Sequence, residues 1–240
     1  MKKFELTTEF ITNALGKKLF RIKALVEFGS VKAGELGGYA EKEENISQDG
    51  NAWVFGNAWV YGDAKVSDNA KVFGNAEVYG DAKVYGNAWV SDDACVYGDA
   101  KVFDDAWVYG DAKVSDNAEV FGNAWVSDDA WVYGDAWVYG DACVYGDACV
   151  YGDAKVSDNA EVSGDADYAL VKGFGTEFRC TTFYRDKNKK IMVNCGCFHG
   201  DLEAFRKQVK ETRSGKIAKE YLMIADLMEY HFTSEDSSDE

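Results

Sequence analysis

With 240 residues, a formal net charge of −16 at pH 7 and 47% hydrophobic residues, the chain has the composition of a folded protein of one or two domains and not of a disordered one. Its first residues contain no apolar core of a secretory signal, no segment approaches the roughly 18 apolar residues of a membrane span, and its six cysteines follow no disulfide-framework spacing. These features predict a cytoplasmic protein that does not bind a membrane.

Residues 1–50 form the first predicted segment. Residues 18–28 have the pattern of a strand, and residues 34–38 are rich in turn-forming glycine. The open edge of a sheet polymerises unless it is covered. We therefore interpret this segment as an N-terminal β cap that leads into a first coil.

Residues 51–166 repeat one hexapeptide, Gly/Asp–Asp/Asn–Ala–x–Val–x, about nineteen times without an insertion. The alternation predicts a short strand with Ala and Val facing inward and the two variable residues facing outward. The remaining two residues, such as Gly62 and Asp63, are turn formers. Three strands and three corners give a triangular coil of about 18 residues, and such coils stack about 4.8 Å apart.

Residues 18 apart in sequence therefore form vertical columns on the predicted rod. One column between Ala and Val is rich in tryptophan, and one column after Val is nearly all tyrosine. Either these rings stack on one another, which contributes about 0.5–1.5 kcal/mol per pair, or they form a flat face that binds a partner protein or another copy of the chain. The candidate binding residues in these columns are Trp53, Trp89, Trp107, Trp125, Tyr61, Tyr79, Tyr97, Tyr133 and Tyr151.

Nearly all of the net charge lies within the repeat, mostly at its corners. Residues 51–165 contain 18 Asp, three Glu and six Lys. This is about one net negative charge per 2 Å of axis, close to the one per ~1.7 Å of duplex DNA. Two interpretations stay open: Asp serves the turns and keeps the rod soluble, or the acidic corners mimic a nucleic acid. The candidate binding residues at one corner are Asp93, Asp111, Asp129 and Asp147.

The repeat resembles that of the hexapeptide-repeat proteins, in which an aliphatic residue is followed four positions later by a small one. Val60 and Ala64 match this pattern, as do almost all later units, over about half of the chain. The resemblance implies a left-handed parallel β-helix and, because members of the family associate side to side, a homo-oligomer such as a trimer or dimer. The flanks, FRIKALVEFGSVKAGELGGYAEKEENIS and TTFYRDKNKKIMVNCGCFHG, are similar to a bacterial and phage-borne group labelled acetyltransferases.

After residue 166 the period stops, and residues 167–232 are predicted to form a small ββαα module. Residues 180–185 and 190–198 have strand patterns, and Asp201 is a candidate helix N-cap before an apolar face that includes Leu202 and Phe205. A second helix is predicted after Gly215. The module is either a cap of the rod or a separate recognition domain. Residues 233–240 are predicted to be a disordered acidic tail.

The repeat lacks the catalytic features that the resemblance implies. The resemblance implies a catalytic histidine on a loop that leaves the β-helix, but the repeat has no loop, and the two histidines, His199 and His231, lie in the C-terminal module. We therefore predict no catalytic residue and no cofactor. Cys195, Cys197 and His199 are weak candidates for a metal site, since residues i and i+2 of a strand lie about 6.6 Å apart and zinc–sulfur bonds are about 2.3 Å.

The sequence thus predicts a mainly β protein, a left-handed parallel β-helix capped at both ends, that acts as a non-catalytic interaction protein. Without a basic patch, direct binding of nucleic acid is not expected. The expected partner is a protein, and the phage-like flanks suggest an inhibitor or decoy of a host defence or nucleic-acid-handling protein in the host cytoplasm. The alternatives are sequestration of a small nucleotide signal at an intersubunit groove and acyl transfer from acyl-CoA.

Overall fold

The computed structural model describes residues 2–176 and 178–233 and confirms a mainly β protein organised around a parallel β-helix. At the N-terminus, the antiparallel strands β1 (Phe4–Thr12), β2 (Lys18–Ala24) and β3 (Leu36–Ala40) form one sheet. A 3-10 turn at Glu43–Asn45 then leads into the rod. The left-handed sense of the coil, which the family resemblance implies, stays a prediction.

The rod consists of two-residue strands on three flat faces, which we name after their most frequent outward residues. The tryptophan face contains β4 (Trp53–Val54), β7 (Lys71–Val72), β10 (Trp89–Val90), β13 (Trp107–Val108), β16 (Trp125–Val126), β19 (Cys143–Val144) and β22 (Glu161–Val162). The tyrosine face contains β5 (Trp59–Val60), β8 (Glu77–Val78), β11 (Cys95–Val96), β14 (Lys113–Val114), β17 (Trp131–Val132) and β20 (Cys149–Val150). The lysine face contains β6 (Lys65–Val66), β9 (Lys83–Val84), β12 (Lys101–Val102), β15 (Glu119–Val120), β18 (Trp137–Val138) and β21 (Lys155–Val156).

The core of the rod is built from the alanine and valine of each hexapeptide. Every repeat valine from Val54 to Val162 and nearly every repeat alanine is fully buried. Neighbouring coils pair in parallel with residues 18 apart opposite each other, as Val90 lies opposite Val108. The backbone N–H of one coil donates to the carbonyl of the next, for example Trp53 N to Ala70 O at 3.1 Å. The interior is too narrow for larger side chains, which explains the invariance of the pattern.

The corners require a left-handed backbone, and either glycine or aspartate occupies that position. Asp92 has φ 60 and its Oδ2 accepts the N–H of Gly110 one coil later at 3.4 Å. The same bond joins Asp128 to Gly146 at 3.3 Å. Wherever another coil follows such an aspartate in its column, the next residue of the column is glycine, which leaves the carboxylate room to reach the backbone of that coil.

This corner geometry predicts a position-dependent cost of adding a Cβ atom. A Cβ at Gly110 would lie 2.8 Å from the backbone nitrogen of Asp128, whereas a Cβ at Gly56 would lie 3.4 Å from its nearest neighbour. Both glycines have positive φ, so both changes to alanine cost about 1–2 kcal/mol from the backbone alone. We expect Gly110→Ala to destabilise the protein by about 1–3 kcal/mol more than Gly56→Ala in denaturant unfolding. Equal losses would contradict this description of the corner.

The N-terminal cap differs from its sequence-based prediction in two respects. Strand β1 was not predicted, and of the residues 34–38 assigned to turns, Gly37 and Gly38 lie inside β3 with no room for a Cβ atom. Strand β3 pairs with β5 in parallel, Tyr39 opposite Trp59. The cap sheet therefore continues the tyrosine face, and the first edge of the rod is covered on this side.

Lys3 covers another part of the same edge. The first coil leaves carbonyl groups unpaired, and the Lys3 Nζ donates to Ala52 O at 3.0 Å and to Asp49 O at 3.3 Å. The Asn45 side chain acts similarly, donating to Ala64 O at 2.9 Å. Burial lowers the pKa of Lys3 to about 8, opposed by the charge of Asp49. An ammonium group is suited to this edge because several carbonyls converge on one point.

The lowered pKa of Lys3 predicts a pH dependence of stability. Between pH 8 and the unfolded value of 10.5, the unfolded chain holds this proton more tightly than the native protein does, so stability rises with pH. We expect the free energy of unfolding of the wild type to increase by about 1–2 kcal/mol relative to Lys3→Met between pH 8 and pH 10. Denaturant titrations of both proteins at these pH values test this, and parallel pH profiles would contradict it.

The C-terminal module contains four strands before its two helices, so the predicted ββαα order is incomplete. After a 3-10 turn at Asp165–Asp167, β23 (Tyr168–Phe174), β24 (Arg179–Arg185), β25 (Ile191–Cys195) and β26 (Phe198–Asp201) form an antiparallel sheet. The helices α1 (Leu202–Thr212) and α2 (Gly215–Thr233) pack on it. Asp201 is the N-cap of α1, as predicted, and accepts from Ala204 N at 2.7 Å. Thr233, the first residue of the predicted tail, is the last residue of α2, and residues 234–240 lie outside the described residues.

The module contacts the last coil through polar groups. Thr182 Oγ1 accepts the N–H of Lys155 at 3.0 Å, and Asn194 Nδ2 donates to the carbonyl of the same residue at 2.8 Å. His199 Nε2 lies 2.7 Å from Asp158 Oδ2 and 3.2 Å from the hydroxyl of Tyr184. These contacts mean that the module covers the C-terminal edge of the rod.

Candidate interaction surface

The columns predicted from the repeat lie in the predicted register. On the tryptophan face, Trp107 is opposite both Trp89 and Trp125. The rings of Trp89 and Trp107 stack at 4.9 Å with an interplanar angle of 5°, and those of Trp107 and Trp125 lie 5.7 Å apart at 20°. The strand pairing places these rings one coil apart. That distance, about 4.8 Å, lies within the range preferred by stacked aromatic rings.

The tyrosines of the tyrosine column contact mainly one another. Tyr61 stacks on Tyr79 at 4.9 Å, and Tyr79 stacks on Tyr97 at 5.0 Å. Tyr61 is 7% exposed and donates to Glu77 at 2.9 Å, and burial raises the pKa of Tyr79 to about 12. These candidate residues therefore stabilise the rod and offer little surface. Tyr133 is half-buried, whereas Tyr151 is 45% exposed at the end of the column.

Trp53 does not belong to the exposed surface, contrary to the prediction. Its side chain is fully buried and makes edge contacts with the rings of Phe4, at 5.9 Å, and Phe28, at 5.3 Å. Both phenylalanines come from the N-terminal cap, which folds over the first coil. The cap thus converts an outward position of the repeat into a core position.

The exposed aromatic side chains cluster toward the C-terminal half of the rod. Trp107 and Trp125 on the tryptophan face are 38% and 45% exposed, and Trp131 on the tyrosine face is 38% exposed. The corner between these two faces carries Asp93, Asp111, Asp129 and Asp147. We call these four residues the acidic corner. Exposed aromatic rings therefore flank it on both sides.

The acidic corner has no cationic partner among the described residues. All four carboxylates are exposed, and none takes part in an ion pair within residues 2–176 and 178–233. One side-chain hydrogen bond reaches the column, from Asn75 Nδ2 to Asp93 Oδ1 at 3.0 Å. The coils are about 4.8 Å apart, so four like charges stand in line without compensation.

The other two corners differ from the acidic corner in their neighbouring side chains. Asp63, Asp81 and Asp99 line a groove with the column Lys65, Lys83 and Lys101. At the third corner, asparagine alternates with aspartate, and Asn87 Nδ2 donates to Asp105 Oδ1 at 3.0 Å. Asparagine therefore fits the same position and forms ladder bonds there. Aspartate at the acidic corner is not required by the fold.

The weak metal candidates do not converge. Cys195 and Cys197 line a small pocket of the C-terminal module with Phe205, whereas His199 faces the rod and contacts Asp158. Cys195 and His199 lie on opposite faces of the sheet because β25 and β26 pair Cys195 with Phe198, which precedes the histidine. In the part of the chain that the structure describes, no group of three or more His, Cys, Asp or Glu side chains is placed to hold a metal ion.

The polar network behind His199 is a packing contact. Ser157 Oγ and the Tyr184 hydroxyl are 2.9 Å apart, and both side chains are buried where the module meets the rod. Burial raises the pKa of Tyr184 to about 12. Asp158 and Tyr184 both approach the same ring nitrogen of His199, so they do not form a relay through the imidazole. Burial also raises the pKa of Cys143, as does Glu161, which disfavours its thiolate.

Comparisons with known proteins add no family assignment. No protein-family model matches the chain, and no curated protein matches it. Among the described residues, no helix is long and apolar enough to cross a membrane. The description of the surface therefore rests on the geometry of this chain alone.

Sequence reasoning missed which exposed groups are compensated within the fold. Lys71, Lys113 and Lys155 place their ammonium groups over the rings of Trp89, Trp131 and Trp137, at 4.9, 5.8 and 4.2 Å. The signal was present, because each lysine is the column neighbour of its tryptophan 18 residues away. These cation–π contacts use lysines that would otherwise neutralise the corners.

Proposed function

We propose that the protein is a non-catalytic interaction protein whose acidic corner, with the exposed tryptophans beside it, binds a basic surface of a partner protein. The observation that carries this proposal is the uncompensated line of Asp93, Asp111, Asp129 and Asp147. The neighbouring corners show that the fold accepts asparagine, or aspartate that lines a groove with lysines, at equivalent positions. Keeping four stacked carboxylates costs electrostatic energy and is explained if a partner neutralises them.

The tryptophans supply the second element of recognition. Trp125 and Trp131 flank the corner and are 45% and 38% exposed. Tryptophan is enriched in binding hot spots because it buries a large area at small entropic cost. Their positions on rigid two-residue strands also mean that the surface is ordered before a partner binds. Charge would steer the encounter, and the aromatic rings would hold the complex.

A specific form of the proposal is an inhibitor or decoy of a nucleic-acid-handling or defence protein of a host. Its support is the charge density of the repeat, about one net charge per 2 Å of axis, which approaches that of duplex DNA. The partner would then carry a groove lined with Arg and Lys that normally holds nucleic acid. Self-association into a dimer or trimer would be compatible with this role provided that it leaves the acidic corner exposed.

Calorimetry with an arginine-rich peptide tests the proposal at two ionic strengths. We expect measurable affinity at about 50 mM salt and a loss of roughly tenfold or more at 200 mM, since exposed charges are screened beyond about 10 Å at 0.1 M. A peptide of the same length with glutamine at the arginine positions serves as the control and should not bind. Binding that is insensitive to salt would contradict the electrostatic proposal.

A further inference from the structure

The tryptophan ladder ends at Trp125 in a groove whose chemistry differs from that at the other exposed tryptophans. The column continues from Trp125 to Cys143 and then to Glu161. Cys143 has a short side chain, and its Sγ lies 3.9 Å from the carbonyl of Asp141 at the corner. The groove beside Trp125 is also lined by Tyr109, Ser127, Asp128 and Tyr145. One face of the indole is therefore stacked on Trp107, and a groove opens on the side of Cys143.

At Trp89, Trp131 and Trp137, a lysine occupies the neighbouring position of the column. Lys71 stands over Trp89 from the coil before it, and Lys155 stands over Trp137 from the coil after it. Lys113 does the same for Trp131 at 5.8 Å. The molecule itself thus shows which group fits over an indole at the spacing of one coil. At Trp125, the equivalent position belongs to Cys143 and carries no cation.

Glu161 provides the countercharge that a cation at this position would need. It is half-buried and forms no ion pair with any residue in the described ranges. A cation at van der Waals distance above Trp125 would lie near the level of Cys143, and the level of Glu161 is about 4.8 Å further along the axis. Asp128, exposed at the rim of the groove, adds a second carboxylate. The groove therefore combines an aromatic platform below with negative charge above and beside it.

We infer that this groove, formed by Trp125, Cys143, Glu161 and Asp128, is a binding site for an organic cation, a guanidinium or ammonium group that stacks on Trp125 and pairs with Glu161. The inference rests on the proposed function, because it assigns to the interaction surface a defined subsite for a basic side chain of the partner. A free quaternary ammonium compound offers the same chemistry. The site is formed by one chain and is complete without a second copy.

The test uses the indole N–H signals of the ¹⁵N-labelled protein, with the Trp125 signal identified by its loss in Trp125→Phe. N-acetylarginine amide, N-acetyllysine amide and tetramethylammonium are titrated separately. We expect a saturable shift of the Trp125 signal and no comparable shift of Trp89, whose ring is closed by Lys71. Saturation by the amino-acid amides identifies a protein side chain as the natural ligand, and saturation by tetramethylammonium alone identifies a quaternary ammonium compound.

Two variants make the result decisive. Cys143→Lys places a tethered ammonium over Trp125 from the following coil, as Lys155 does over Trp137, and is expected to weaken binding at least tenfold. Glu161→Gln is expected to weaken it about two- to fivefold, as for an ion pair that is partly open to solvent. Cys149→Lys, at the equivalent place on the tyrosine face, is the matched control and should leave the titration unchanged.

Three outcomes would overturn the inference: equal shifts at all exposed tryptophans, no saturable shift at Trp125, or an unchanged titration in Cys143→Lys whose spectrum is otherwise native. Glu161→Gln replaces a half-buried side chain by one of nearly the same size and keeps the test valid if the lysine variant does not fold. If the site fails while the arginine-rich peptide still binds with its salt dependence, this inference alone is wrong. If peptide binding fails as well, the proposed function is wrong.

Discussion

Replacing Trp53 with alanine is expected to lower the free energy of unfolding by about 3–5 kcal/mol, the loss typical of a large buried aromatic side chain. Trp53 is fully buried between Phe4 and Phe28 of the cap, so its removal leaves a cavity and weakens the packing of the cap on the first coil. Denaturant unfolding followed by circular dichroism measures the loss. We also expect faster hydrogen exchange in the first coils, because a repeat rod frays from an uncovered end.

Trp125→Ala is the matched control because the residue occupies the same column and is 45% exposed. It loses one ring contact, with Trp107, and is expected to cost about 0.5–1.5 kcal/mol. Under the proposed function, Trp125→Ala also reduces the affinity for a basic peptide. Trp53→Ala leaves this affinity unchanged, because Trp53 is buried and does not contact the peptide. Equal destabilisation by the two changes would show that Trp53 is not the anchor of the cap.

The second prediction with a large effect is a gain in the free energy of unfolding. Changing Asp111, Asp129 and Asp147 together to asparagine removes three neighbouring like-charge repulsions, each about 0.5–1 kcal/mol at 4.8 Å in water. Asparagine also forms ladder bonds at equivalent corners, as Asn123 does with Asp141 at 2.9 Å. We expect the triple variant to be about 1–3 kcal/mol more stable than the wild type in denaturant unfolding. Its melting temperature is expected to rise by roughly 2–6 °C.

Salt provides the control for this prediction. At 1 M salt the screening length falls to about 3 Å, so the repulsion in the wild type is largely removed and the difference between the two proteins shrinks. A triple variant that is less stable than the wild type would mean that the carboxylates serve the fold. The interpretation that aspartate is present only for the turns would then be correct.

The repeat was predictable because one physical pattern decides its structure. A period of six with inward Ala and Val fixes the three faces, and the spacing of 18 fixes the columns. The helices of the C-terminal module were also predictable, because the N-cap Asp201 and the glycine at Gly215 mark their boundaries. In these segments, local sequence and global fold require the same conformation.

The caps were less predictable because their strands break the pattern. The alternation of β1 is interrupted between Leu6 and Phe10, where the pairing with β2 changes register. The run 190–198 was predicted as one strand, but a turn with Gly196 at φ 63 divides it into β25 and β26. The burial of Trp53 depends on residues 25 and 49 positions earlier in the chain, Phe28 and Phe4, which the repeat does not specify.

Only part of the exposed site could be predicted from the sequence. The columns that contain Trp107, Trp125 and the acidic corner follow from the period alone. Which carboxylates lack a partner depends on whether a lysine in a neighbouring column points to a corner or lies over a ring, as Lys113 lies over Trp131. Side-chain direction of this kind is set by packing and is not encoded in the spacing.

The most direct test of the central claim compares two variants of equal charge. Asp111, Asp129 and Asp147 are changed to asparagine in one, and Asp63, Asp81 and Asp99, which line the groove with the lysine column, in the other. Calorimetry with the arginine-rich peptide at 50 mM salt follows binding. We predict that the first variant loses at least tenfold in affinity and that the second stays within about threefold of the wild type. Equal losses in both variants would mean that the peptide senses only the net charge, which would contradict recognition by the acidic corner.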